Sequence, residues 1–143
     1  MLDEYKDRIV IELAGHDHFA SLRTHKSTVN PDEKYHNLFV APSITPWYSN
    51  NPGVTSFEND DFVPKKLRTT FMNLNQTIGQ HEVLPKEDIE FRELVWEDQY
   101  GIDELTPDQI WRLAEKLAND ADLQEDYLIR KMGLDPSIPS EFE

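Results

Sequence analysis

The feature that most constrains the fold of this chain is a change of texture near residue 80. Before it, short β-rich runs alternate with turn clusters; after it, apolar residues recur at helical spacing. The first run, "RIVIEL" (Arg8 to Leu13), places Ile9, Val10 and Ile11 in a row and reads as a strand buried on both faces that stops at Gly15. "FASLRT" alternates weakly and reads as the next strand. "LFVAP" (Leu38 to Pro42) reads as a third, closed by proline, and "VTSFE" and "RTTFMNLN" as two more that pair antiparallel. Between them "SITPWYSNNPG" is a structured loop by its prolines, paired asparagines and glycine.

From Pro85 the pattern predicts helices. "PKEDIEFRELVWEDQYG" begins with proline and acids, as a helix N-terminus does, and offers Phe91, Leu94, Val95 and Trp96 as its apolar surface up to Gly101. "TPDQIWRLAEKLAND" is the clearest case. Thr106 is its N-cap, Pro107 its first helical residue and Gln109 the return half of a capping box, with Ile110, Leu113, Ala114 and Leu117 along one stripe. A third helix runs from about Asp120 to Met132, turns Leu123, Tyr127, Leu128 and Met132 inward, and stops at Gly133. The expected class is therefore α+β. Strands occupy residues 1–80 and a small helical subdomain residues 81–143, in a chain of 143 residues that suits one cooperative unit.

Composition narrows the chemistry. Acidic residues outnumber basic ones by 28 to 14, giving a net charge of -14, so a nucleic acid is not an expected partner. The excess reads first as solvated surface, and after that as affinity for a basic protein or as work at low pH. The absence of cysteine excludes disulfides, thiolate zinc sites and a cysteine nucleophile, so a metal site must use imidazole, carboxylate or amide. No apolar run approaches the roughly 18 residues of a membrane span, and Met1 is followed by a charged stretch, not by a leader. Asn75 opens the glycosylation sequon "NQT".

One motif then stands out. "GHDHF" sets His16 and His18 two apart at the end of the first predicted strand. Alternate residues of a strand share a face, while at a strand end the two imidazoles can diverge, so the pair suits either one metal or one ligand to each of two. Two-metal sites that hydrolyse phosphate esters clamp the phosphoryl oxygens and lower the pKa of a bridging water. A pair of exposed loop histidines fits the same spacing. His25, His36 and His81 show no ligand spacing and read as surface residues.

"GHDHF" combined with the downstream "LFVAPSITPWYSNNPGVTSFE" resembles the C-terminal part of acid sphingomyelinase-like phosphodiesterases, of the calcineurin-like metallophosphoesterase superfamily. There a strand leads to Gly-His-x-His, a later strand to Ala-Pro-Ser-x-Thr, and then comes Asn-Pro-Gly. Here these are Gly15-His16-x-His18, Ala41-Pro42-Ser43-x-Thr45 and Asn51-Pro52-Gly53. "RTTFMNLNQT" is similar to the family's late strand, and the segment from "DQYG" to "RKMG" to its closing helices. The resemblance implies the C-terminal portion of a four-layer metallophosphoesterase β-sandwich, about five strands followed by about three helices. It also implies two zinc ions or other divalent metals, with His16 on one ion and His18 on the other, and a phosphodiester substrate. Trp47 holds the place of an aromatic that can contact substrate; it serves equally as a loop anchor. A secretory, lysosomal or extracellular setting is implied as well, whereas the bare chain suggests the cytosol.

The departures limit what is implied. The family places an Asp-x-His, a bridging Asp, an Asn-His pair and a further His upstream of Gly-His-x-His, and only 15 residues precede His16 in this sequence. Where the family often has an acid two residues after the second His, this chain has Ala20. Each zinc needs about four ligands, so two histidines do not complete a binuclear site. Three readings follow: a C-terminal fragment or subunit completed by an N-terminal metal-binding part, a catalytically inactive derivative serving as a structural subunit of an assembly, or a free-standing binding module. The third suffers from the apolar edge its first strand would expose.

Overall fold

The computed structural model describes residues 2–5, 8–30, 32–46, 50–61, 63–74 and 89–134. After one helical turn, α1 (Leu2–Tyr5), the chain builds a mixed sheet from β1 (Glu12–Ala14), β2 (Ser21–Lys26) and β3 (Lys34–Val40), in the order β1-β3-β2. β1 runs parallel to β3, with Ala14 opposite Val40, and β2 runs antiparallel to it, with Ser21 opposite the same Val40. A second, antiparallel sheet follows, β4 (Gly53–Asp60), β5 (Val63–Met72) and β6 (Phe91–Val95), with β5 central. Three helices close the described chain: α2 (Trp96–Tyr100), α3 (Pro107–Asn119) and α4 (Ala121–Arg130). The class is α+β, as expected.

One apolar cluster draws on both halves of the sequence. Phe39 of β3 meets Phe57 of β4 edge-on at 5.5 Å and Trp96 at 6.4 Å, which joins the two sheets to the start of α2. Trp96 is fully buried and continues the stack to Tyr100 and Tyr127. A buried indole N–H needs an acceptor. It donates to Thr69 Oγ1 at 3.1 Å, and the Thr69 hydroxyl in turn pairs with that of Thr55 across β4 and β5. Leu113 and Leu117 bring α3 onto the cluster, and α3 lies against β2 and β3.

Local signals set α3 as the sequence predicts, with one refinement. Thr106 Oγ1 accepts from Gln109 N, and Pro107 occupies the first turn. Gln109 does not close the box on Thr106: its Oε1 accepts from Asp103 N and Glu104 N, one turn further back. Asp120 caps α4 through Leu123 N, and Gly133 ends that region with φ 74°.

Three expectations are corrected. Residues 91–95, expected inside a helix, form β6. Leu94 lies opposite Thr69 in register with β5, and Phe91 is 59% exposed, so the pairing with β5 overrides a modest helical preference. The helix begins only at Trp96 and ends, as expected, at Gly101, whose φ of 68° closes it. "RIVIEL" is not a strand buried on both faces. Only Glu12–Ala14 pairs, and Leu13 is 66% and Val10 47% exposed, because among the described residues β1 is an edge strand bonded on one side only. Ala114 and Leu128 also face outward, leaving Leu117, Leu123 and Tyr127 to pack on the core.

Candidate functional site

The histidine motif begins where β1 ends. Gly15 leaves the strand, and the next residues turn sharply: His16 has φ 82° and His18 φ 65°, both in the left-handed region that L side chains other than Asn, Asp and His seldom enter. Such a backbone costs of order 1 kcal/mol or more per residue and persists only where the surroundings impose it. Three sets of bonds do so. Ala41 N donates to Ala14 O at 2.8 Å and extends the β1–β3 pairing to the loop's first residue. His18 O accepts from Ser43 N and from Asn50 Nδ2, both at 3.3 Å. Ala20 N donates to Lys131 O at 3.0 Å, fixing the loop's exit to the end of α4.

The Ala-Pro-Ser-x-Thr and Asn-Pro-Gly segments thus converge on the back of the histidine loop. Gly53 N donates to Ser43 O, and Thr45 N to Ser43 Oγ, both at 2.9 Å. Asn51 is the hub beneath. It is 4% exposed; its Nδ2 donates to Gly133 O at 2.8 Å, its Oδ1 accepts from Leu74 N at 3.0 Å, and its own N–H donates to Met132 O at 2.9 Å. Gly53 must be glycine for space, since a Cβ there would lie 2.7 Å from the Phe71 ring.

His16 is exposed and His18 half-buried, and both line an open hollow of about 570 Å³ together with Asp17, Phe19, Arg23 and Lys131. Asp17 does not join the imidazoles as a third ligand. Its carboxylate turns to the Arg23 guanidinium and accepts a hydrogen bond from Nη2. Lys131 Nζ stands over the Phe19 ring, 5.4 Å from its centroid.

Tested as a metal site, the donors fit in part. Two imidazoles at one strand end are suitable nitrogen ligands for zinc and its neighbours. Among the described residues no group of three or more His, Asp or Glu side chains is gathered to hold an ion. His16 and His18 would be two ligands of a set that needs more. Trp47 and Asn75, the expected substrate contact and glycosylation site, lie outside the described residues, as does His81; His25 is exposed on β2.

Arg23 and Lys131 did not stand out in the sequence as site residues. Ser21 and Arg23 share one face of β2 by strand alternation, which is a faint signal. Lys131 had none, because only the packing of α4 brings it to the loop.

What fold and site define is an α+β unit that presents two strained histidines at a strand end, backed by a buried asparagine junction. Comparison with known proteins narrows this no further: the chain matches no family model and no curated protein.

Proposed function

We propose that this chain is the C-terminal part of a binuclear-metal phosphodiesterase, with His16 and His18 as its contribution to the metal site. The observation that carries the reading is the convergence of three separate motif segments on one loop. Gly-His-x-His, Ala-Pro-Ser and Asn-Asn-Pro-Gly are bonded together through His18 O, Ser43 and Asn50, and their meeting in space supports reading them as parts of one site. The left-handed backbone at both histidines supports it, since strain of this kind collects at working sites.

In this reading a polypeptide bearing Asp and further His ligands completes the site. β1 offers a place for it, with Leu13 exposed on an edge that no other described strand covers. The metals would supply Lewis acidity to a phosphoryl group. The chain's own residues hold two nitrogen donors at fixed positions, and the bonds from Ser43 and Asn50 keep the second from swinging with the loop. Trp47 and Asn75 stay with this proposal as substrate contact and glycosylation site.

A second reading, an inactive structural subunit, is favoured by the absence of a gathered ligand set among the described residues. One experiment separates the two. The chain is isolated with whatever copurifies, the zinc content is measured, and hydrolysis of bis(p-nitrophenyl) phosphate is followed for native and His16→Ala complexes. The enzyme reading expects bound zinc and loss of activity in the variant; a metal-free, inactive assembly establishes the structural role instead.

A further inference from the structure

The chain carries twice as many acids as bases, yet the surface beside the histidines reverses that balance. Arg23 and Lys131 face the same hollow as His16 and His18, against the single carboxylate of Asp17. Each cation is placed by the fold. Arg23 projects from β2 on the face it shares with Ser21, which also borders the hollow. Lys131 caps the C-terminus of α4, where the helix dipole favours a cation, and its own carbonyl anchors the loop through Ala20 N.

The Arg23–Asp17 contact shows what this geometry accepts. A guanidinium fork suits the paired oxygens of a carboxylate or phosphate, and here it already grips one oxyanion, an internal one from the middle of the histidine motif. Both partners are about half exposed, at 53% and 45%, so water and solutes reach the pair and the bond is a weak one to exchange.

We propose that Arg23 and Lys131 form an oxyanion subsite for the phosphoryl oxygens of a phosphate ester, and that Asp17 occupies it until such a ligand displaces it. This rests on the phosphoesterase reading for its ligand class, but the subsite needs no metal to bind. Arg23 provides the fork, Lys131 a second charge in the same hollow, and Asp17 the competitor that sets affinity low.

The test uses the full chain with chelator present and ionic strength held constant. Inorganic phosphate, and glycerophosphocholine as a diester, are titrated while amide shifts of Asp17, Phe19 and Lys131 are followed by NMR. Saturable shifts are expected. Arg23→Gln and Lys131→Gln each weaken binding about tenfold, and Asp17→Asn tightens it by a similar factor. Lys66→Gln, on the β5 surface away from the hollow, leaves it unchanged. The ratio between the two ligands tells whether a free phosphate or an esterified one is preferred. Affinity indifferent to Arg23 and Lys131, or no saturable binding in either the native or the Asp17→Asn chain, overturns the proposal. Zinc binding titrated on parallel samples without chelator keeps the readings apart: phosphate held without any zinc affinity removes the metal reading alone, and zinc without phosphate removes this one alone.

Discussion

The histidine loop and the Asn51 junction lie back to back and are built on opposite principles. The loop is exposed, carries two left-handed histidines and keeps charged side chains in reach of water. The junction is buried, and its polar atoms are met by Gly133, Leu74 and Met132. In the sequence both belong to one linear resemblance, which makes ligands of the histidines and gives the Asn-Pro-Gly turn no role of its own. Their physical surroundings divide the labour: the junction holds the backbone so that the loop can remain strained. Substitutions should therefore fail differently on the two sides.

The largest effect is expected at Asn51. Asn51→Ala leaves the buried Gly133 O and the partly buried Leu74 N without their partner and should lower stability by about 3 kcal/mol. Urea unfolding measures it, and a loss below about 1 kcal/mol would show the junction to be dispensable. Gly133→Ala comes next. A Cβ there meets the Phe71 ring at 2.3 Å and must also adopt φ 74°, so a loss of about 2 kcal/mol is expected. Gly15→Ala is its control, because nothing lies within 4 Å of a Cβ at Gly15.

The third prediction concerns the helix that bridges both regions. Burial, the main cause, raises the Tyr127 phenol above its usual value of 10.0, while the Leu22 N–H it accepts and the Arg23 charge pull the other way. Tyr100 is raised as well, first by burial and then by the Asp126 carboxylate. A folded-state pKa above the unfolded one means that the unfolded chain gives up its proton first. The stability these phenols confer is whole below about pH 10 and declines as pH rises through the folded values. Urea midpoints from pH 8 to 11 should fall along this course, and Tyr127→Phe should flatten the decline; an unchanged slope would remove Tyr127 from the account.

The smallest effect has the opposite sign. His16→Gly relieves a left-handed backbone in an exposed position and should raise stability by up to about 1 kcal/mol while removing a candidate ligand. A loss of stability there would mean that the loop is held by more than its backbone bonds.

How much of this the sequence disclosed depends on the range of the interactions involved. Thr106, Pro107 and Gly133 announced helix ends because capping is settled within a turn, and β2 to β5 were visible as β-rich runs between turn clusters, β2 with a weak alternation. β6 was not, because "FRELV" has acids and apolar residues that satisfy a helix, and only the partner strand β5 decides for extension. "RIVIEL" misled for a related reason: a triple apolar run describes composition, while exposure of Val10 and Leu13 follows from edge position. At the site, the place of His16 and His18 after a strand was legible, and the resemblance set their motif in one linear order with the segments of Ser43 and Asn51. The turn of Asp17 toward Arg23 and the arrival of Lys131 were not, since they depend on contacts between distant segments.

The bond from Leu22 N to Tyr127 Oη, 3.4 Å long and spanning 105 residues of chain, carries a consequence for how the molecule is made. Together with Ala20 N to Lys131 O it ties the first hairpin to the last helix. Contacts of such separation form late, after the entropy of closing the intervening chain has been overcome. During synthesis the histidine loop is made before α4 and its exit is fixed only once α4 has followed, so of these two segments the first to be made takes its final shape with the second.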